Sequence, residues 1–188
     1  SDIMSRPVDV SKYGLIYAGA QKNLAPAGLT IAIIKEELAG NELPFTPSVM
    51  SYKNMIEKTS MFNTPSTWPI YMLGLMCDWV ESVGGVAAIE QMNIKKANML
   101  YDCLEGSKLF TLNAEKGSRS FMNVTFRSPS EEIDAKFASE ASKKGFANLK
   151  GHRSVGGMRA SIYNAMPIEG VEALVDFMKK FAEENPKK

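Results

Sequence analysis

The chain has 188 residues, with 22 lysines and arginines against 21 acids and a net charge of +1. That balance excludes a bulk attraction for nucleic acid or anionic lipid, so an anion-binding site has to be local. A 45% hydrophobic content is enough for a sizeable core. Two cysteines and a single histidine provide neither a disulfide framework nor a zinc site.

The opening SDIMSRPVDV is polar, shows no signal peptide and starts abruptly, like the middle of a longer chain, so a cytoplasmic protein is expected. The run from Tyr13 to Ile34 has the length of a membrane span. It holds Lys22 at its centre, however, and a central lysine costs about 2.5–3.5 kcal/mol in a membrane. It reads better as two strands, Leu15–Ala20 and Leu29–Ile34, each apolar enough to be covered on both faces. The intervening QKNLAPAG carries turn residues. Lys22 then lies just past a strand end, where open α/β sheets place ligands.

Residues 35–66 hold three prolines and no clear period, and loops this long are often functional. The spacing predicts a helix from Thr67 to about Val83, burying Ile70, Leu73, Met76, Cys77 and Val80. After Gly84-Gly85 a second helix, about Val86 to Leu104, is expected to bury Ile89, Met92, Leu100 and Cys103. Its exposed face would carry Glu90, Lys95 and Lys96. Cys77 and Cys103 read as small apolar fillers.

Further on, 109–112 and 121–126 read as strands. SPSE at 128–131 reads as a capping box with proline first in a helix that ends at Gly145. A short strand at 146–149 and an alternating strand at 158–163 follow, the latter with Arg159, Ser161 and Tyr163 on one face. A helix from Ile168 to about Glu183 closes the chain, with Val171, Leu174, Val175, Met178 and Phe181 inward. The order suggests two parts, 1–92 from a larger sheet domain and 93–188 as a small α+β domain.

Three stretches could carry chemistry. Lys22 stands among Gly19, Ala20, Ala25 and Ala27, and apolar surroundings disfavour an ammonium, which suits Schiff-base formation; a lysine snorkelling to water is the plainer alternative. GHRSVGGMRAS, residues 151–161, brings His152 and Arg153 near Arg159 through a Gly156-Gly157 bend. Arginine forks match carboxylate and phosphate oxygens, although a solvated basic turn would look the same. FNTPST, residues 62–67, places Asn63, Thr64, Ser66 and Thr67 ahead of a helix, as a phosphate seat or as simple capping.

Together, YAGAQKNLAPAGLT and GHRSVGGMRASIYNAMP closely resemble segments of the phosphoserine aminotransferase family, and SMFNTPST falls where that family has its own Asn-Thr-Pro segment. These are class V-type pyridoxal-phosphate enzymes of fold type I. The similarity runs from Ser5 to nearly the last residue but covers only the family's C-terminal half. It implies an α/β fold, the tail of the large sheet domain plus a smaller α+β domain. It also implies pyridoxal 5′-phosphate held by Lys22 as an internal aldimine, with Lys22 then shuttling the substrate proton. Gln21 would contact the cofactor phosphate, and Asn63 and Thr64 would reach it from a second subunit, hence a homodimer. Arg159 would hold the substrate α-carboxylate, and His152 with Arg153 its phosphate. The substrates implied are L-glutamate and 3-phosphohydroxypyruvate, in serine synthesis and, in many bacteria, vitamin B6 synthesis.

The family's carboxylate for the pyridine nitrogen would lie before Ser1, and its stacking tryptophan and glycine-rich phosphate contact are missing. The chain alone is therefore expected to be inactive. A non-catalytic module keeping only folding or dimer-contact surface, and a basic-loop protein binding phosphorylated ligands, remain alternatives.

Overall fold

The structure is a computed structural model that describes residues 2–186. The chain divides into two compact units, Ser1–Ala87 and Ala88–Lys188. The helix α3 (Gly85–Glu105) carries both this division and the boundary expected after residue 92.

In the first unit, β1 (Leu15–Ala20) and β2 (Leu29–Ile34) form an antiparallel ribbon with Leu15 opposite Ile34 and Ala20 opposite Leu29. The strand limits are those read from the sequence, but their burial is not. Ala20 is buried, whereas Leu15, Tyr17 and Ile33 are exposed. A two-stranded ribbon offers one face to its own core and leaves the other open, so a continuous apolar run here does not mean cover on both sides. The core is small. Ala20, Leu24 and Ala25 are buried, and Met72 and Leu73 of α2 (Thr67–Ser82) pack against them. Between ribbon and α2, Ser51 caps the short α1 (Tyr52–Glu57) by accepting the Asn54 N–H, and donates its own hydroxyl to Glu42 at 2.7 Å. Ile70, expected to face inward on α2, is 42% exposed.

The second unit is far better filled. Strands β3 (Thr111–Leu112), β4 (Asn123–Arg127) and β5 (Met158–Ser161) make an antiparallel sheet in that order, and Val124 lies opposite Ala160. One sheet face is apolar: Val124, Phe126, Met158 and Ala160 are buried with α3, α4 (Glu131–Lys143) and α5 (Ile168–Glu184). Five phenylalanines knit the helices to the sheet. Phe137 stands edge-on to Phe110 at 5.2 Å and to Phe181 at 5.1 Å between centroids, within the range where such pairs add stability beyond their buried area. All five residues expected inward on α5 are buried.

Several local expectations fail for identifiable reasons. The cap of α4 is Ser130, not Ser128: the Ser130 Oγ accepts the Ile133 N–H, which puts Pro129 outside the helix. Ser128 instead donates its N–H and its hydroxyl to Asp134 Oδ1, at 2.8 and 2.5 Å. Residues 146–149 do not form a strand, because Asn148 takes a left-handed φ of 60° and only Lys150 pairs with Met158. Gly145 does end α4, at φ 91°, with Gly145 and Phe146 donating to Ser142 and Ala141 as the helix closes. On α3, Met92 is 41% exposed and Cys103 only half-buried, while Lys96 is buried. A lysine on a helix reads as a solvent-facing residue unless the acceptors that would receive it are known.

No single helix among the described residues is long and apolar enough to cross a membrane, and Tyr13–Ile34 belongs to the ribbon.

Candidate active site

Lys22 follows β1 directly and takes a left-handed backbone, φ 55°. A residue with a Cβ pays roughly 1–2 kcal/mol there, so the surroundings must impose it. They do: Ala20 ends the strand buried, and Asn23 and Leu24 on the other side are each 2% exposed. The Asn23 amide donates to Ile3 O at 3.3 Å, and the Leu24 N–H closes the turn on Gln21 O. Anchored on both flanks, the turn forces Lys22 outward. Its amine donates to Gln21 Oε1 at 2.8 Å and makes no ion pair with a carboxylate among the described residues. The sequence suggested a lysine among small apolar neighbours; here the side chain is exposed and its neighbour is the neutral Gln21.

Asn63 and Thr64 lie exposed ahead of α2, with the Asn63 amide donating to Thr64 O at 3.2 Å. Capping does not consume this polar run. Ser66 holds the cap position of α2 but makes no side-chain capping bond.

In the second unit, the polar face of the sheet carries Asn123, Thr125 and Arg127 from β4 and Arg159 and Ser161 from β5, with Thr125 opposite Arg159. Ser161 and Tyr163 both engage Asn123, Ser161 donating to its Oδ1 at 3.0 Å. Arg159 is different: its Nε is buried, finds no hydrogen-bond partner, and its guanidinium pairs with no carboxylate among the described residues. An arginine left without its ion partner in a half-buried position is a costly arrangement unless an anion completes it.

His152 and Arg153 stand in the loop between Lys150 and β5. The Gly151 N–H donates to Gly157 O at 2.8 Å, and Val155 and Gly156 both donate to His152 O. Only glycine fits at the crossing: a Cβ on Gly151 would collide with Gly156 O, and one on Gly157 would meet Phe126 O at 2.6 Å. His152 Nδ1 accepts the Ser154 N–H at 3.3 Å and lies 2.7 Å from its hydroxyl. A backbone N–H can only donate, so the neutral ring carries its proton on Nε2. The loop borders a cleft of about 740 Å³ that Arg127, Lys150, Glu131 and Asp134 also line. Arg159 does not line it.

Two groups leave no mark of their setting in the sequence. Lys96 gives no local sign of burial, and Arg127 sits at a strand end where a charged residue is unremarkable.

The sequence model of the class-V aminotransferases matches residues 1–174. The chain belongs to the class-V aminotransferase family. Among curated relatives, the phosphoserine aminotransferase of Herminiimonas arsenicoxydans is 54% identical over 96% of this chain and 50% of its own length. That of Desulfotalea psychrophila is 53% identical over 99% of this chain and 52% of its own. A solved phosphoserine aminotransferase from Bacillus circulans subsp. alkalophilus superposes with TM-score 0.95 at 45% identity, over 98% of this chain and 51% of that one. A pyridoxal-phosphate-bound phosphoserine aminotransferase from Trichomonas vaginalis gives 0.89 at 38% identity, covering 95% and 52%. The chain thus spans about half the length of the relatives it matches. As a member of that family it has the α/β character expected of the C-terminal half of that fold.

Proposed function

We propose that this chain is the lysine- and arginine-bearing half of a phosphoserine aminotransferase, which moves an amino group from L-glutamate to 3-phosphohydroxypyruvate and yields 2-oxoglutarate and O-phosphoserine. The observation that carries this reading is Lys22, held at φ 55° past the end of β1 with its amine resting on a neutral amide. Backbone strain that anchored flanks impose on an outward lysine is the kind that functional sites retain.

The residues present fit pyridoxal 5′-phosphate. Lys22 offers an amine that pairs with no acid among the described residues, and the start of α2 offers hydroxyls and N–H groups without a side-chain capping bond. When bound, the cofactor supplies an electron sink for the amino acid's α-carbon. Lys22 would hold it covalently and, once released, move the proton between the substrate α-carbon and the cofactor C4′. Gln21 would orient its phosphate, and Asn63 and Thr64 would serve the phosphate bound to a second copy, which makes the working protein a homodimer. Arg159 would fix the substrate α-carboxylate through its planar fork. His152, donating from Nε2, and Arg153 would take the substrate phosphate. The setting is cytoplasmic serine synthesis, with pyridoxine synthesis as a related use.

The test is transamination with the N-terminal half of the Herminiimonas arsenicoxydans relative supplied as a separate chain. Lys22→Ala is expected to abolish O-phosphoserine formation, and Arg159→Gln to raise the KM for L-glutamate. Phosphoserine formation undiminished by Lys22→Ala would refute the reading.

A further inference from the structure

The cleft beside the His152 loop holds more positive charge than the residues assigned to it above. Arg127 and Lys150 line it with His152 and Arg153. None of the three cations Arg127, Lys150 and Arg153 forms an ion pair with a carboxylate among the described residues. Two acids line the same cleft, Glu131 and Asp134. Asp134 is already engaged, its Oδ1 accepting both the N–H and the hydroxyl of Ser128.

Arg127 is placed and aimed. It ends β4, and Gly157 presses the loop against it so closely that a Cβ there would lie 3.2 Å from Arg127 Cβ. Its Nε donates to Asn113 Oδ1 at 2.7 Å. Asn113 is itself tied to β4 through its N–H to Thr125 O. A carboxylate in the place of Asn113 would orient the guanidinium and cancel its charge. The neutral amide orients it and leaves its charge intact, and the residue stays exposed to the cleft. Pre-oriented, uncompensated arginine is what recognition of a strongly charged oxyanion requires.

We infer that Arg127 is a further phosphate-binding residue of this cleft, joining His152 and Arg153 around a phosphate monoester dianion, with Lys150 adding charge. A dianion matches two arginine forks and an imidazole N–H better than a carboxylate does, since it brings three acceptor oxygens and close to two charges. The inference rests on the reading of the cleft as the substrate-phosphate site and adds to it a determinant of substrate charge.

Inorganic phosphate is the probe, titrated into the chain by NMR with the backbone resonances of residues 151–157 as the readout. Arg127→Gln is expected to weaken binding at least about tenfold, as loss of a charge-assisted contact should. Arg153→Gln should do the same. Lys143→Gln, which removes one charge outside the cleft, controls for net charge and should change affinity less than twofold. If Arg153→Gln weakens binding while Arg127→Gln behaves like Lys143→Gln, the inference falls and the phosphate reading stands. If the wild-type loop does not respond to phosphate, both fall.

Discussion

Lys96 Nζ lies 3.0 Å from Met166 O, although Lys96 is only 2% exposed and sits in the middle of α3. The same amine reaches the carbonyls of Ile162, Tyr163 and Asn164 at 3.3, 2.9 and 3.1 Å. One turn earlier on α3, the Asn93 amide donates to Asn164 Oδ1 at 2.9 Å. These two helix residues fasten the turn that links β5 to α5. Lys96→Met keeps the bulk but leaves buried carbonyls without a donor, and is expected to destabilise the second unit by about 3 kcal/mol. Urea denaturation followed by Trp-independent circular dichroism measures it, and a loss below about 0.5 kcal/mol would show the clamp to be idle.

Burial lowers the pKa of Lys96 from 10.5 to about 8. Between those values the unfolded chain holds a proton that the folded chain has lost, so raising the pH through that window adds stability through this group. Below pH 8 the lysine is charged in both states and contributes no pH dependence. The stability difference between wild type and Lys96→Met, measured from pH 7 to 10, should shift in favour of wild type above pH 8. A flat difference would contradict the assignment.

Lys22 holds a left-handed backbone, φ 55°. Lys22→Gly removes the Cβ from a left-handed position and is expected to stabilise the first unit by about 1 kcal/mol while removing the side-chain amine. Destabilisation by that substitution would mean the turn does not hold Lys22 against its preference.

The His152 loop depends on close backbone crossings. Gly157→Ala meets both a φ of 65° and Phe126 O at 2.6 Å, and should cost about 2 kcal/mol or more and speed exchange of the Gly151 N–H. Gly117→Ala, where nothing lies within 4 Å, should be neutral to within about 0.5 kcal/mol. Equal effects at the two glycines would refute the steric account.

For α4, Ser130→Ala is expected to cost about 1 kcal/mol through loss of the cap. Thermal denaturation checks this, and a neutral result would return the cap to Ser128.

The legible parts of the fold were those in which one element decides its own pattern. The limits of β1 and β2, the glycine break between α2 and α3, and the inward face of α5 all follow from local apolar spacing and turn residues. What escaped depended on distant partners. Lys96 is buried because four carbonyls some 66 to 70 positions away receive it, and no helical spacing encodes them. Ser128 and Ser130 are equally good caps by type, and Asp134 decides between them by taking the first. Lys22 in the first unit, and Arg159 and the His152-Arg153 loop in the second, stood out in the sequence as candidates for chemistry. The charge left open at Arg127 shows only once Asn113 is seen beside it.

Lys22 is the residue proposed to take the cofactor. The direct measurement is to incubate the chain with pyridoxal phosphate, reduce with borohydride, digest, and locate the modified lysine by mass spectrometry. Label concentrated on Lys22 over the other exposed lysines is the expected result. Label spread evenly among them, with Lys22 no more modified than Lys12 or Lys143, would contradict it.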